Sequence, residues 1–225
     1  GSYVSGSLSL ESESRPPLAE GEVLVKAAYL SMDAGTRMWM IEREDSYQPP
    51  LELGTKMVGL VLGHVDATRS GDFAEGDLVR GFGQWAEHSV VDPALAGLVK
   101  VDPAVSDIKQ HFGVLGFNGW TALWGLRETA GVKAGDKVLV SAAAGATGVL
   151  ACQIAKILGA NVYGLAGGPD KCRWLETELG IDGAIDYKND DVAARLAQVD
   201  GGINAYFDNV GGPILDAVLP NMALY

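Results

Sequence analysis

The chain has 225 residues, of which 48% are hydrophobic and 8% aromatic, which is enough to bury a sizeable core in one or two domains. Acidic side chains outnumber basic ones by 29 to 17, giving a formal net charge of −12. This balance excludes general binding to nucleic acid and to anionic membranes, because either partner would need a basic face. No apolar run approaches the roughly 18 residues of a membrane span, so we expect a soluble protein with no membrane partner.

The first half of the chain is predicted to form strands without intervening helices. Apolar residues alternate over 22–30, which indicates a half-buried strand, and further strands are predicted at 56–65 and 85–91. The residues on the apolar face of the first strand are Val23, Val25, Ala27 and Tyr29. Turns rich in glycine and aspartate separate the strands, so we expect a compact, mostly antiparallel β domain.

Helical spacing begins after this β region and marks the expected domain boundary. The residues that share the spacing are Trp120, Leu123, Trp124 and Arg127. We therefore place the boundary near Leu115 and divide the chain into domains 1–115 and 116–225.

The most informative segment is 136–156, where a short strand is followed by a glycine-bearing turn and an amphipathic helix. This order is typical of a dinucleotide site. Gly145 lets the backbone approach a pyrophosphate, Gly148 lets the helix pack close to the strand, and the helix N-terminus offers unpaired N–H groups. Leu150, Ile154 and Ile157 fall at i, i+4 and i+7, on one face of the helix. The first glycine of the usual pattern is Ala143 here, so a glycine turn that binds no ligand remains an alternative.

Strand and helix patterns alternate downstream of this segment. Strands are predicted at 161–165, 184–187 and 202–207, and helices at 169–179, 190–197 and 212–219. The alternation predicts an α/β fold with a doubly wound parallel sheet and helices on both faces, the Rossmann class. A complete sheet of this kind has about six strands, so we expect this one to be partial, with further strands beyond Tyr225.

The end of the second predicted strand sets the choice of nucleotide. An NAD-binding domain usually carries an acidic residue there, about 20 residues past the glycine turn. This chain instead has Ala166-Gly167-Gly168, with Lys171 just inside the next helix. Small residues leave room for a 2′-phosphate, and the lysine adds a donor and a positive charge. We predict NADP(H) rather than NADH, with a solvated Lys171 that binds nothing as the alternative.

Segments along nearly the whole chain resemble those of a known family, in the family's order. The matching segments are 20–26, 30–33 with Arg37, 46–50, 119–122, 142–148, 166–172 and 208–212. Together they resemble the zinc-independent branch of the medium-chain dehydrogenase/reductase superfamily. Within that branch the chain is similar to NADPH-dependent alkenal/one (double-bond) reductases, whose relatives include prostaglandin reductases, leukotriene B4 dehydrogenases and curcumin reductase.

The resemblance implies both an architecture and an activity. Domain 1–115 would be a GroES-like substrate domain trimmed at its N-terminus, and domain 116–225 an incomplete NADP-binding Rossmann domain. The implied reaction is hydride transfer from NADPH to the β-carbon of a small hydrophobic α,β-unsaturated ketone or aldehyde, carried out by a cytoplasmic homodimer. An NADPH:quinone reductase and a non-catalytic NADPH-binding protein are the alternatives.

The resemblance also assigns roles to individual residues. The positions implied in cofactor binding are Phe117, Asn118, Thr121, Gly145, Ala146, Thr147, Gly148, Gly168, Lys171, Tyr187 and Asn209. Tyr47 is the candidate catalytic residue, with its hydroxyl in the substrate pocket, although the main acid of the family is expected beyond Tyr225. Ordinary turn positions for Tyr187 and Asn209, and a surface loop for Tyr47, are the alternatives.

One departure from the family concerns the substrate pocket. The family commonly has Asp-Pro-Tyr-Met-Arg where this chain has Asp-Ala-Gly-Thr-Arg at 33–37. The aromatic residue is absent, so we expect an altered pocket wall and a bulkier or differently shaped substrate.

No metal site is predicted. The histidines of the chain are His64, His88 and His111, and they are scattered. Val65 stands where the acid of a zinc-binding Gly-His-Glu would follow. Cys152 and Cys172 form no C-x-x-C pair, and we expect both to be buried as small hydrophobic residues in a reducing compartment.

Overall fold

The structure is a computed structural model that describes residues 7–41 and 49–224. The chain forms two compact units, one ending at Ser106 and the other beginning at Asp107. The sequence prediction placed the boundary near Leu115. Residues before that point bond to the helix that follows them: the Asn118 amide donates to the carbonyl of Phe112, which ties this connection to the second unit. In the described ranges, no helix is long and apolar enough to cross a membrane.

The first unit is built on an antiparallel sheet of five strands in the order β4-β1-β2-β3-β5. The strands are β1 (Val23–Leu30), β2 (Val58–Thr68), β3 (Leu78–Gln84), β4 (His88–Val91) and β5 (Val99–Lys100). A 3₁₀ helix over Ala34–Met40 follows β1, and a short helix α1 (Pro93–Ala96) precedes β5. Valines from the three long strands form most of its core. The predicted antiparallel β domain is therefore confirmed.

Two details of this sheet differ from the sequence prediction. The pairing of β1 with β2 shifts between Leu24 and Val25 and again between Ala27 and Tyr29. These irregularities break the alternation, so Leu24 is also buried and Tyr29 is 41% exposed. Strand β3 was not predicted, because glycine has a low propensity for β-strands. A β-carbon on Gly83 would lie 2.7 Å from a Val61 methyl group, so packing rather than propensity explains that glycine.

The second unit is an α/β unit whose parallel sheet has four strands in the order β8-β7-β6-β9. The strands are β6 (Lys137–Val140), β7 (Asn161–Ala166), β8 (Gly183–Asp186) and β9 (Ala205–Phe207). The helices are α2 (Phe117–Leu123), α3 (Ala146–Ile157), α4 (Pro169–Thr177), α5 (Val192–Leu196) and α6 (Gly212–Val218). Two cores flank the sheet, one containing residues of α2, α3 and α4 and the other residues of α5 and α6. The predicted Rossmann-type arrangement is confirmed.

The buried face of helix α3 is not the apolar stripe seen in the sequence. Its buried residues are Gly148, Ala151, Cys152 and Ala155. Leu150 and Ile154 pack at the edge of the core, while Ile157 is 83% exposed. Small residues face the sheet because the helix lies very close to it, and apolar spacing alone gave no sign of this approach. Burial raises the pKa of the Cys152 thiol to about 12, so this cysteine behaves as a small hydrophobic residue.

Helix α2 also presents an unexpected face. Ala122 and, in the π-helical continuation over Trp124–Thr129, Leu126 are buried, whereas Trp120 and Trp124 are more than half exposed. The predicted helix is present, but its large aromatic residues lie outside the core.

Candidate functional site

The turn between β6 and α3 has the geometry of a phosphate-binding turn. Gly145 caps α3 in an extended conformation, and no described side chain caps this helix end. The first N–H groups of the helix therefore keep their capacity to bind an anion. Ala142, at φ 45°, is the only non-glycine residue of the described chain with positive φ. Its carbonyl accepts the N–H of Gly145 at 2.8 Å, which closes the turn.

Gly148 fixes the distance between the helix and the turn. A β-carbon there would lie 2.2 Å from the Ala142 carbonyl oxygen and 2.8 Å from the Ala143 Cα, both backbone atoms. At Gly145 the same test gives 3.1 Å to the Ala142 oxygen, a tight but less severe contact. The helix therefore packs against the turn as closely at Gly148 as the sequence predicted.

The carboxyl end of β7 forms a second part of the site. Gly168 has φ 105° and ψ 147°, a conformation accessible only to glycine. A β-carbon on Gly167 would lie 2.8 Å from the Tyr187 hydroxyl and 2.9 Å from Lys188 Cε. The side chains of Tyr187 and Lys188 therefore lie across this glycine, and the absence of a side chain makes room for them.

A pocket of about 340 Å³ opens beside this strand end. The residues that line it are Ala144, Asp170, Lys171 and Trp174. Asp170 forms an ion pair with Arg173 at 3.2 Å, which agrees with a place in the first turn of α4. Lys171 is exposed and forms no ion pair with another described residue. The pocket thus combines a cation, an aromatic face and an adjacent glycine turn.

Asp186, which sequence reasoning missed, joins the end of β7 to the loop after β8 through hydrogen bonds. Its Oδ1 accepts the N–H of Gly168 at 2.8 Å and the N–H of Lys188 at 3.1 Å, and its Oδ2 accepts the Asn189 amide at 2.6 Å. The bond from Gly168, followed by that from Asn189, lowers the pKa of the Asp186 carboxyl below its ordinary value. The signal available in the sequence was an aspartate near the end of the predicted strand 184–187.

We expect Asp186 to make the stability of the protein pH-dependent. A carboxyl whose pKa is lower in the folded chain stabilises the fold above its unfolded pKa of about 3.9, and this contribution is lost as the pH falls through the folded pKa. Urea unfolding at a series of pH values from 7 down into the acid range should show the wild type losing stability below about pH 4. Asp186→Asn should lose less over that window, and equal losses would contradict this role.

The end of β9 carries a hydrogen-bond network that positions Asn209. The Asn209 N–H donates to Ser141 Oγ at 2.8 Å, and its side-chain amide donates to the Ser141 carbonyl at 2.8 Å. Ser141 Oγ in turn donates to Asp208 Oδ1 at 3.0 Å. Ser141 directly follows β6, so this network joins the carboxyl ends of two neighbouring strands. The sequence indicated Asn209 but neither Ser141 nor Asp208.

Helix α2 reaches the glycine turn through one predicted residue. The Thr147 hydroxyl donates to the Asn118 side-chain oxygen at 2.9 Å, which joins the first turns of α2 and α3. Phe117 is 57% exposed, and Thr121 is also exposed. The structure thus places Asn118 at the turn with Gly145, Ala146, Thr147 and Gly148, while Lys171, Tyr187 and Gly168 gather at the end of β7.

The first unit contains a separate pocket of about 240 Å³. Its lining includes Gly35, Thr36, Met38, Trp39, Leu60 and Phe82. No described atom lies within 4 Å of a β-carbon built on Gly35, which agrees with the wall expected to be altered there. Tyr47, the candidate catalytic residue, lies outside the described residues.

The histidines do not converge. His64 contacts the carbonyl of Gly76, His88 contacts Arg15, and His111 is buried in the other unit. Within 7–41 and 49–224, no group of three or more His, Cys, Asp or Glu side chains could hold a metal ion.

Comparison with known proteins matches a different family model to each of the two units. Residues 1–101 match the family described as "N-terminal domain of oxidoreductase", and residues 146–223 match that described as "Zinc-binding dehydrogenase". The chain is 37% identical over 221 residues to the NADPH-dependent curcumin reductase of Escherichia coli (strain K12), covering 98% of this chain and 63% of that protein. It is 39% identical to the NADP⁺-dependent 2-alkenal reductase of Nicotiana tabacum, covering 93% of this chain and 61% of that enzyme.

A solved relative has the same fold. The structure of CurA from Vibrio vulnificus in complex with NADPH superimposes with a TM-score of 0.84 and 36% identity, covering 94% of this chain and 62% of that one. These matches confirm the resemblance of the chain to the NADPH-dependent double-bond reductases of the medium-chain dehydrogenase/reductase superfamily. It spans about three fifths of the length of these relatives.

Proposed function

We propose that the protein is an NADPH-dependent reductase that transfers hydride to the β-carbon of α,β-unsaturated ketones and aldehydes. One observation carries the proposal: an uncapped helix end lies beside a strand end that has two glycines and a lysine where an NAD-binding domain has an acid. The relatives named above, a curcumin reductase and a 2-alkenal reductase, support the substrate class.

The described residues fit an NADPH molecule. The backbone N–H groups of Ala146 and Thr147 would bind the diphosphate, since they lie at the end of a 12-residue helix with no described side-chain cap. Lys171 would bind the 2′-phosphate, with Tyr187 beside it and Gly168 giving clearance. The residues proposed to hold the nicotinamide end are Phe117, Asn118, Thr121 and Asn209. Asn118 and Asn209 are each fixed by hydrogen bonds, so they are already oriented before any ligand binds.

Bound NADPH would supply a hydride, and the protein would supply placement. Negative charge develops on the carbonyl oxygen of the enone during reduction, so a hydrogen-bond donor is needed at that atom. We propose Tyr47 as a donor to the substrate. The pocket of the first unit, with Trp39, Leu60 and Phe82 in its wall, suits a small hydrophobic enone because apolar walls exclude water.

We also infer that the enzyme works without zinc, as a cytoplasmic homodimer, with domains 1–115 and 116–225 binding substrate and cofactor. The scattered histidines and the predicted lack of ligands support the first inference, and the family resemblance supports the rest. Metal analysis of the purified protein and its mass in solution test zinc and dimer, respectively. Stoichiometric zinc, or a monomeric mass, would contradict the corresponding inference.

Stopped-flow measurement of NADPH absorbance tests the activity. With the full-length protein, a simple enone should cause rapid loss of NADPH, and NADH should support much slower turnover because it lacks the 2′-phosphate. A quinone in place of the enone separates this function from that of a quinone reductase. Turnover of quinones but not enones would contradict the proposal, and tight NADPH binding without turnover of either would indicate a non-catalytic protein.

A further inference from the structure

We propose that Lys188 is a second cationic residue that binds the 2′-phosphate of NADPH, acting together with Lys171. This proposal rests on the proposed function, since it adds a residue to the same nucleotide site. Neither the sequence pattern nor the family resemblance pointed to Lys188.

The first support is the position of the Lys188 side chain. Its Cε lies 2.9 Å from the place where a β-carbon on Gly167 would stand, next to the Tyr187 hydroxyl at 2.8 Å from the same place. The ammonium group is one bond beyond Cε, so it lies at the end of β7, where the second strand of a Rossmann domain binds the adenosine ribose. Any side chain at position 167 would displace both groups.

The second support is the rigidity of the loop that carries Lys188. Asp186 Oδ1 accepts the backbone N–H of Lys188 and that of Gly168, so one buried oxygen joins this loop to the strand end. Lys171 lies in the first turn of the helix that begins directly after Gly168. The two lysines thus come from two segments that a single carboxylate holds together.

The third support is charge. Five of the nine lysines of the described chain pair with a carboxylate or a carbonyl, as Lys56, Lys100 and Lys156 do. Lys171 and Lys188 have no ion pair within the part of the chain that the structure describes. Asp170 already pairs with Arg173, and Asp186 already accepts hydrogen bonds from three donors, so the charge of Lys188 is the smallest contribution to the lowered pKa of Asp186. In a chain of net charge −12, two ammonium groups without an ion pair at one strand end suit a dianionic phosphate.

Calorimetry with two adenine nucleotides tests the proposal without turnover. The probes are 2′,5′-ADP and 5′-AMP, which differ only by the 2′-phosphate. The wild type should bind 2′,5′-ADP at least 10-fold more tightly, because hydrogen bonds between an ammonium group and a phosphate are charge-assisted and stronger than neutral ones. Lys188→Gln should weaken 2′,5′-ADP binding by about 5-fold, within the range that exposed charge pairs allow, and change 5′-AMP binding by less than about 2-fold.

Matched variants make the outcome specific. Lys188→Arg keeps the charge and should retain most of the affinity for 2′,5′-ADP. Lys133→Gln removes an exposed lysine of the same unit and should leave both nucleotides unaffected. If the wild type prefers 2′,5′-ADP but Lys188→Gln behaves like Lys133→Gln, the role of Lys188 is overturned while the nucleotide preference stands. If the wild type shows no preference between the two nucleotides, the NADPH assignment and this inference both fail.

Discussion

Replacing Gly148 by valine should destabilise the second unit by about 4 kcal/mol or prevent it from folding, an effect in the exceptional tail for single substitutions. The cause is steric. Even the β-carbon would lie 2.2 Å from the Ala142 carbonyl oxygen. It would also lie 2.8 Å from the Ala143 Cα, so a small shift of the side chain cannot remove the overlap. Both neighbours are backbone atoms of the turn that closes β6, so relief requires α3 to move away from the sheet and open the core around Ala151, Cys152 and Ala155.

Urea unfolding monitored by circular dichroism measures this effect. Gln153→Val is a suitable control, because it adds the same side chain at an exposed position of the same helix and should cost only about 0.5 kcal/mol in helix propensity. Gly148→Ala should fall between the two variants. If Gly148→Val were as stable as Gln153→Val, the close approach of helix and turn would not exist in solution.

The glycine turn shows why some of this fold was predictable from sequence. Strand, turn and helix follow one another within 136–156, so local periodicity and glycine spacing were sufficient to place them. The burial of small residues on α3 was not predictable in the same way. Ile157 fits an apolar stripe yet is 83% exposed, because the separation of helix and sheet depends on Gly148 and not on the stripe.

Strand β3 and the polar network at the carboxyl ends of β6 and β9 could not be predicted from the sequence, for a different reason. Gly81 and Gly83 lower the apparent strand propensity of β3, although each is required by a neighbour that packs against it. Ser141 and Asp208 are far apart in sequence, and their 3.0 Å hydrogen bond exists only because β6 and β9 are adjacent in the sheet. Sequence reasoning found Asn209 from its place after a strand, but its partner required the strand order.

The same reasoning applies to the pocket beside the end of β7. Lys171 follows a glycine pair at a helix start, a local pattern that sequence reasoning detects. Asp186 is the last residue of the next strand, and Lys188 lies in the loop that follows it. Both meet Gly167 and Gly168 only because β7 and β8 pair in parallel. Site residues that come from a neighbouring strand, or from the loop after it, are therefore the ones that a single sequence does not identify.

Removing the Asp208 carboxylate is expected to loosen the sheet edge that holds Asn209. Asp208 Oδ1 accepts hydrogen bonds from Ser141 Oγ at 3.0 Å and from the Tyr206 hydroxyl at 2.9 Å. It also accepts the N–H groups of Val210 and Gly211 at 3.0 and 2.9 Å. Burial would raise the pKa of Asp208, but these four hydrogen bonds together lower it, so the carboxylate is ionised at neutral pH. Burial also raises the pKa of Tyr206 to about 12, which keeps its hydroxyl protonated as a donor.

Asp208→Ala should therefore destabilise the protein by about 2 kcal/mol, since hydrogen bonds to a charged group contribute about 1.5–3 kcal/mol each and solvent can replace part of them at this exposed position. Asp208→Asn keeps an acceptor oxygen and should lose about half as much. Asp216→Ala, at an exposed position of α6, is the matched control and should remain within about 0.5 kcal/mol of the wild type. Urea unfolding gives these values.

NADPH titration of the same variants measures whether the hydrogen-bond network of Asp208 and Ser141 affects cofactor binding. The loop after β9 positions Asn209, so Asp208→Ala should weaken NADPH binding several-fold more than Asp216→Ala, in addition to its cost in stability. Ser141 accepts hydrogen bonds from both the backbone N–H and the side-chain amide of Asn209. Without Asp208 the Ser141 hydroxyl can rotate, so the orientation of Asn209, the proposed nucleotide contact, is no longer fixed. Unchanged NADPH affinity in a destabilised Asp208→Ala variant would show that the network supports the fold alone and is not needed for the proposed contact of Asn209 with the cofactor.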